Sequence, residues 1–298
     1  MVTAIIKPNT GQQFEWVYAP ISAELPGRSH FPLYTTSERA DGCDSNPGTC
    51  GDGYIDGKLE AIQSCFYFNS SMYVVAEMSQ ITGLVEGFHN AYDNNVINKT
   101  HYSYEDAVYN NEGRGFQGFR RISVLTEPNY SEDLDQSTGL GQTLSVSTFH
   151  QLFPRAGKLD TVKTYQYLSD LDRPLIQTTK YNWWEDNLSE WTDHGVVHIP
   201  MRSQTTKNFA EFQYDEINGD LSSEQIRRNY CQLGVNSIDE YGNIECAIET
   251  TTMHTQVMHH LTGAVGLQTT TNEVETRNTY SNDGINGVRD VDFMECLS

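Results

Sequence analysis

Polar and apolar positions alternate with a period of two along most of this chain, and β-branched and aromatic residues fill the apolar places. That spacing puts successive side chains on opposite faces of an extended segment, and it predicts strands at 72–78, 101–104, 119–125, 144–150, 160–167, 175–181, 206–214, 244–254 and 267–280. Turn-forming clusters punctuate them, at Asn94-Asn95, Asn110-Asn111, Glu240-Tyr241-Gly242-Asn243 and Asn282-Asp283-Gly284. Many strands at even spacing predict an all-β fold of antiparallel hairpins with little helix. The run 267–280 is mostly Thr, Asn, Glu and Arg, so one of its faces must meet water or polar partners. A single short helix is predicted at 222–231, with Ser222 as N-cap, Gln225 at the capping-box position and Gly234 as a stop. The chain reads as one β-rich segment over 1–298, with a soft internal loop near 127–142 where Pro128, Glu132, Asp133, Asp135, Gly139 and Gly141 interrupt the alternation.

Charge narrows the function. With 298 residues and a formal net charge of -21, the chain repels phosphate backbones and anionic headgroups, which argues against nucleic-acid binding and against a polybasic membrane anchor. Its 17 Tyr, 12 Phe and 4 Trp argue against disorder throughout. No apolar run reaches the length of a membrane span. Residues 1–10 lack the apolar stretch of a signal peptide, so the expectation is a leaderless chain or a start inside a longer protein.

The cysteines are Cys43, Cys50, Cys65, Cys231, Cys246 and Cys296, with no C-x-x-C pair to suggest zinc or a redox motif. Cys43 and Cys50 bracket a turn-rich loop that a disulfide would close in an oxidising compartment; an even count permits pairing without requiring it. Around them, Asp41, Asp44, Asn46, Asp52 and Asp56 offer oxygen ligands of the kind calcium takes. The EF-hand spacing fails about Gly53, and a solvated acidic loop is the simpler reading.

Gly113-Arg114-Gly115-Phe116-Gln117-Gly118 is a literal G-x-G-x-x-G, but a strand pattern follows it where a dinucleotide site needs a helix. Its glycines are better read as backbone devices: a tight turn with positive φ at Gly113 or Gly115, and a bulge or close strand approach at Gly118. His254 and His259 are five apart, on opposite faces of a strand, and His194 and His198 flank a Gly-Val-Val strand or turn pattern; H-E-x-x-H is absent. No G-x-S-x-G elbow and no cysteine in a catalytic setting supports nucleophilic catalysis. The densest aromatic and carboxylate cluster is Trp183, Trp184, Glu185, Asp186, Trp191, Asp193 and His194. Stacking indoles with acids beside them suit a sugar, so a secreted carbohydrate-binding or adhesive β module using Trp183, Trp184 and Trp191 is the alternative function, and a hydrolase using Glu185 or Asp186 is a further rival. Packed tryptophans with solvated acids are the plain reading. The Asn-x-Ser/Thr sites at Asn69, Asn98, Asn129 and Asn187 are expected by chance in so Asn- and Thr-rich a chain.

Taken in order, these segments resemble the Rhs/YD-repeat proteins, in particular the region that follows the β-propeller in bacterial toxin-complex B components and SpvB-like proteins. Trp16-Val17-Tyr18-Ala19-Pro20-Ile21 resembles the family's W-x-Y-x-P-L opening, the run from Tyr73 to Met78 its Val-Val strand, and Tyr102-Ser103-Tyr104-Glu105 its Y-x-Y strand. The block from Gly113 to Ile122 is similar to a GRGFxGFRRI signature, and Thr148-Phe149-His150-Gln151-Leu152-Phe153-Pro154 to the segment that comes next. Tyr241-Gly242-Asn243 looks like a YD-repeat turn, and Asn278-Thr279-Tyr280 like the motif before further repeats. The resemblance spans roughly residues 14 to 283. The propeller, the long repeat array and the self-cleaving core of the family are outside this sequence, the insertion from Asp41 to Cys65 is atypical, and a fragment of a larger shell is the expectation.

What the resemblance implies is a structural, non-enzymatic segment of a spiral β-sheet shell that encloses a toxic C-terminal polypeptide, keeping it unfolded and sequestered until delivery. Its partners would be the remainder of the shell and that polypeptide. No cofactor, metal or catalytic residue is expected, and the location implied is secreted or extracellular. The structural residues it singles out are Gly113, Gly115, Phe116, Gly118, Phe119, Tyr241, Gly242 and Asn243.

Overall fold

The structure is a computed structural model that describes residues 4–7, 12–26, 28, 31–36, 65–68, 71–82, 96–110, 113–130, 141–151, 155–169, 173–183, 199–213, 221–231, 244–258, 265–280 and 291–296. It is all-β, with no helix among the described residues. The chain divides into two compact units, Met1–Pro174 and Leu175–Ser298.

Unit 1 holds β1 (Ala4–Lys7), β2 (Gln12–Pro20), β3 (Tyr34–Thr35), β4 (Cys65–Tyr67), β5 (Tyr73–Thr82), β6 (Val96–Asn110), β7 (Gly115–Tyr130), β8 (Thr143–Phe149) and β9 (Leu159–Gln166). They lie in the order β1-β2-β5-β6-β7-β8-β9, every neighbouring pair antiparallel. β6 is long enough to take β5 along its first half, and then β3 in parallel and β4 antiparallel along its second. The core forms where the segment around Leu25 and Leu33 covers β2, β5 and β6: Ala19, Leu33, Val74, Ala76 and Tyr104 are buried together, with Leu25, Tyr102, Phe119 and Ile122 packed against them. Arg28 fastens this cover to the sheet by donating from its two Nη atoms to the carbonyls of Ala76 (3.0 Å) and Tyr102 (2.8 Å). Of the stretch 127–142, the expected soft loop, 127–130 continue β7, and residues 131–140 lie outside the described residues.

Unit 2 is a meander of β10 (Leu175–Trp183), β11 (Met201–Gln213), β12 (Leu221–Arg228), β13 (Cys246–Met258), β14 (Val265–Tyr280) and β15 (Val291–Cys296), each pairing antiparallel with the next. The helix expected at 222–231 is corrected: Leu221–Arg228 is strand β12, hydrogen-bonded to β11 on one side and β13 on the other. Two ladders satisfy more of its backbone than an isolated turn of helix would, and they override the local capping signal of Ser222 and Gln225. The Ser222 hydroxyl, instead of capping, donates to the Asn208 carbonyl at 2.9 Å.

Register makes unit 2 polar on both faces. One transverse row runs Thr178, Lys207, Glu224, Thr252, Thr271, and the row beside it, on the opposite face, runs Thr179, Thr206, Gln225, Thr251, Asn272. Cross-strand bonds link such rows: Gln177 donates to Asn208 (2.7 Å), Asn208 to Ser223 (2.9 Å), and the hydroxyls of Thr179 and Thr206 (3.2 Å) and of Thr252 and Thr271 (3.3 Å) pair directly. Every residue from Gln268 to Val274 is exposed, so both faces of β14 are open there.

Candidate functional site

The glycine-rich block sits in the β6–β7 hairpin. Gly113 and Gly115 flank Arg114 in the turn with φ of 92° and 72°. Val108 pairs with Gly118 but Tyr109 pairs with Phe116, so Gln117 is the extra residue of a bulge and Gly118 takes φ of 95°. A Cβ added at Gly118 meets nothing within 4 Å. Its requirement is the left-handed backbone, and close approach of a neighbouring strand plays no part. Gln117 closes the turn by donating to the carbonyls of Arg114 (3.2 Å) and Gly115 (3.1 Å).

Two residues before Val108 on β6, Asp106 is fully buried at 0% exposure and adopts φ of 52°, the one positive-φ residue other than glycine among the described residues. A regular strand buries every second residue. Here Asp106, Ala107 and Val108 are buried in succession, because the left-handed residue breaks the alternation. Arg120 Nε donates to Asp106 Oδ2 at 2.7 Å and its Nη2 to Glu105 Oε1 at 2.5 Å, while Arg121 Nη1 reaches Glu105 Oε2 at 2.7 Å. Buried Gln151 donates from Nε2 to the Asp106 carbonyl at 2.6 Å and to the Gly118 carbonyl at 3.4 Å, which ties the strained residue to the bulge. Phe116 and Phe119 meet edge to face at 5.6 Å, and Phe119 packs on Tyr104 at 4.7 Å. Burial pushes the Tyr104 phenol up to about 12, and its hydroxyl donates to the Val75 carbonyl at 2.9 Å.

This knot joins residues that the sequence placed in separate motifs: the Y-x-Y-E strand, the glycine block and, through Gln151, the segment that begins at Thr148. Gly113, Gly115, Phe116, Gly118 and Phe119 all belong to it. Asp106, Glu105, Arg120 and Gln151 are its charged and polar centre, and sequence reasoning missed their roles. An aspartate inside a strand pattern was the available signal, since Asp is depleted in strands and tolerated in left-handed backbone. Chemically the knot is closed. The buried carboxylate is matched by a guanidinium.

Elsewhere in unit 1, His101 lies between Glu77 (3.4 Å) and Glu127 (3.3 Å), with Lys99 on Glu77 at 3.2 Å and Gln142 donating to Glu127 at 3.1 Å. A hollow of about 560 Å³ is lined by Ile21, Leu25, Arg28, Leu33 and Tyr34. Desolvation there lowers the Arg28 guanidinium and raises the Tyr34 phenol from their ordinary values. In unit 2, Cys231 and Cys246 form a disulfide with Glu275 beside it, Cys246 Sγ lying 3.9 Å from Glu275 Oε1. These three are a potential metal-ligand group by proximity, but the bond between the sulfurs removes the thiolates that a metal would need.

Several expectations lie outside the described residues: the turn Tyr241, Gly242 and Asn243, the calcium and disulfide readings of the Asp41-to-Asp56 loop, Trp184, Glu185, Asp186, Trp191, and the histidines at 194, 198, 259 and 260. Trp183 ends β10, half-buried, and His254 sits on β13 with Nδ1 3.2 Å from the Thr269 hydroxyl. No helix among the described residues is long and apolar enough to cross a membrane.

Comparison with known proteins adds little beyond this. No family model matches the chain, and no curated protein matches it. Among solved structures, it is similar to a chain of the Photorhabdus luminescens Tc holotoxin pore, at a TM-score of 0.42 and 8% sequence identity, over 95% of this chain and 17% of that one.

Proposed function

We propose that this chain is a non-enzymatic structural segment of an Rhs/YD-repeat toxin shell of the toxin-complex B type, a stretch of wall that helps enclose a toxic C-terminal polypeptide. The observation that carries this reading is the sheet of unit 2, whose two faces both present rows of polar side chains in register across five strands. Half of a sandwich needs one apolar face. A partition with water or polar cargo on each side needs none. The knot at Asp106 supports the same reading, because the residues carrying the family resemblance fasten one another. In this role the chain's partners are the rest of the shell and the enclosed polypeptide, nucleic acid is not among them, and the assembly is exported.

Cryo-electron microscopy of the full gene product that contains this sequence tests the proposal. A hollow β-walled particle with additional polypeptide density inside is the expected result. A compact particle without a lumen overturns it, as does hydrolase turnover by the purified chain that Glu185→Gln abolishes.

A further inference from the structure

One end of unit 2 is stitched across four strands. Asn229, 2% exposed and directly after β12, donates twice to the start of β11: its backbone N–H to the Arg202 carbonyl (2.9 Å) and its Nδ2 to the Met201 carbonyl (2.8 Å). Two residues on, Cys231 is bonded to Cys246, the first residue of β13, with their Cα atoms 5.7 Å apart. On the far side Asn278 of β14 donates its backbone N–H to the Glu245 carbonyl (2.8 Å) and its Nδ2 to the Ile244 carbonyl (2.9 Å). The disulfide is thus the covalent link in the middle of a seam from β11 to β14, and it closes the neck of the 231–246 connection. The asparagine clamps lie on either side of it, Asn229 two residues before Cys231 and Ile244–Glu245 directly before Cys246.

We infer that Cys231–Cys246 is a redox latch on this end of the sheet, closed in oxidising surroundings and opened by thiol reductants. The inference stands independently of the wall reading. Opening is thiol–disulfide exchange: a reductant thiolate attacks the sulfur of Cys231, a half-buried residue where Cys246 is buried, and the sulfur–sulfur bond breaks with Cys246 as the leaving thiolate. A second reductant thiol resolves the mixed disulfide. The two cysteines gain two electrons and two protons, and the reductant ends as its own disulfide. Cys246, once protonated, has the Glu275 carboxylate at hand as acceptor. Losing the link restores the freedom of the connection in the locally opened state, so openings of β12 and of the first residues of β13 become more frequent.

Hydrogen exchange on the intact purified chain, with and without dithiothreitol, reads this directly, alongside peptide mapping of the oxidised protein. The expected map contains a Cys231–Cys246 linked peptide, and reduction speeds amide exchange in 221–228 and 246–250 by about tenfold or more, as loss of a native disulfide implies. A Cys231→Ser/Cys246→Ser variant, which keeps the other four cysteines, is expected to exchange fast at these positions and to ignore the reductant. Absence of the linked peptide overturns the inference. So does unchanged exchange on reduction, or a reductant response that persists undiminished in the double variant.

Discussion

Arg120 and Asp106 form an ion pair, at 2.7 Å between Nε and Oδ2, whose carboxylate has no contact with solvent and sits on a left-handed residue in the middle of β6. Truncating one partner of such a pair leaves an uncompensated buried charge, which costs far more than the pair itself contributes. Arg120→Ala is expected to destabilise unit 1 by about 3–5 kcal/mol in urea unfolding. Arg120→Ala combined with Asp106→Asn should recover part of that loss, because the orphaned charge goes while the left-handed tolerance of the side chain stays. If the double variant is no more stable than Arg120→Ala alone, the carboxylate is not the source of the cost.

Gly118 makes a separate demand. Its φ of 95° is strained for any residue with a Cβ, yet there is open space around the position. Gly118→Val should therefore cost about 1–3 kcal/mol through the backbone alone, and Gly118→Asn less than Gly118→Val. A melting temperature unchanged in Gly118→Val removes this role for the glycine, whereas equal losses for Val and Asn would point to steric contact in place of backbone conformation.

Tyr104 gives the alkaline behaviour. Its phenol is pushed up to about 12 from the ordinary tyrosine value, first by desolvation and then by the neighbouring Tyr102. A group raised on folding contributes stability that is whole below its unfolded value and is lost as pH climbs through its folded value. The native state should thus weaken between about pH 10 and pH 12. Tyr34 and Tyr102, also raised by burial, add to the same slope. Urea midpoints across that window should fall less steeply in Tyr104→Phe than in the parent chain. Equal slopes would mean that the Tyr104 hydroxyl does not keep its proton for the Val75 carbonyl.

The all-β class was legible because two-residue alternation survives in nearly every strand, and the glycine block was legible because positive φ has a residue signature. Strand lengths were not. β6 and β7 extend through Asn98, Lys99 and Glu127, polar residues whose partners across the ladder are polar as well, so no hydrophobic signal marks these ends. β12 was misread for a related reason: Ser-Ser-Glu-Gln carries a genuine helix-start pattern, and only two flanking strands, distant in sequence, decide against it. Asp106 and Gln151 are 45 residues apart and come together only once the β6–β7 bulge is built, which local spacing cannot encode. The Cys231–Cys246 pair likewise follows from hairpin register, whereas an even cysteine count leaves the pairing open.

The polar rows of unit 2 separate a partition from half of a sandwich. Thr206, Gln225 and Thr251 are consecutive members of one row, and their apolar replacements fit a strand as well as or better than the native side chains. If that face meets water or polar cargo, Thr206→Val/Gln225→Val/Thr251→Val creates an apolar stripe across three strands with nothing to cover it. The folded variant should then self-associate, seen as concentration-dependent growth in light scattering, while the monomer's unfolding free energy changes by no more than about 1 kcal/mol. If instead the row packs against an apolar layer, the same change removes buried hydroxyls and an amide from that layer. The variant would gain stability and stay monodisperse, an outcome incompatible with a sheet whose two faces are both meant to be wet.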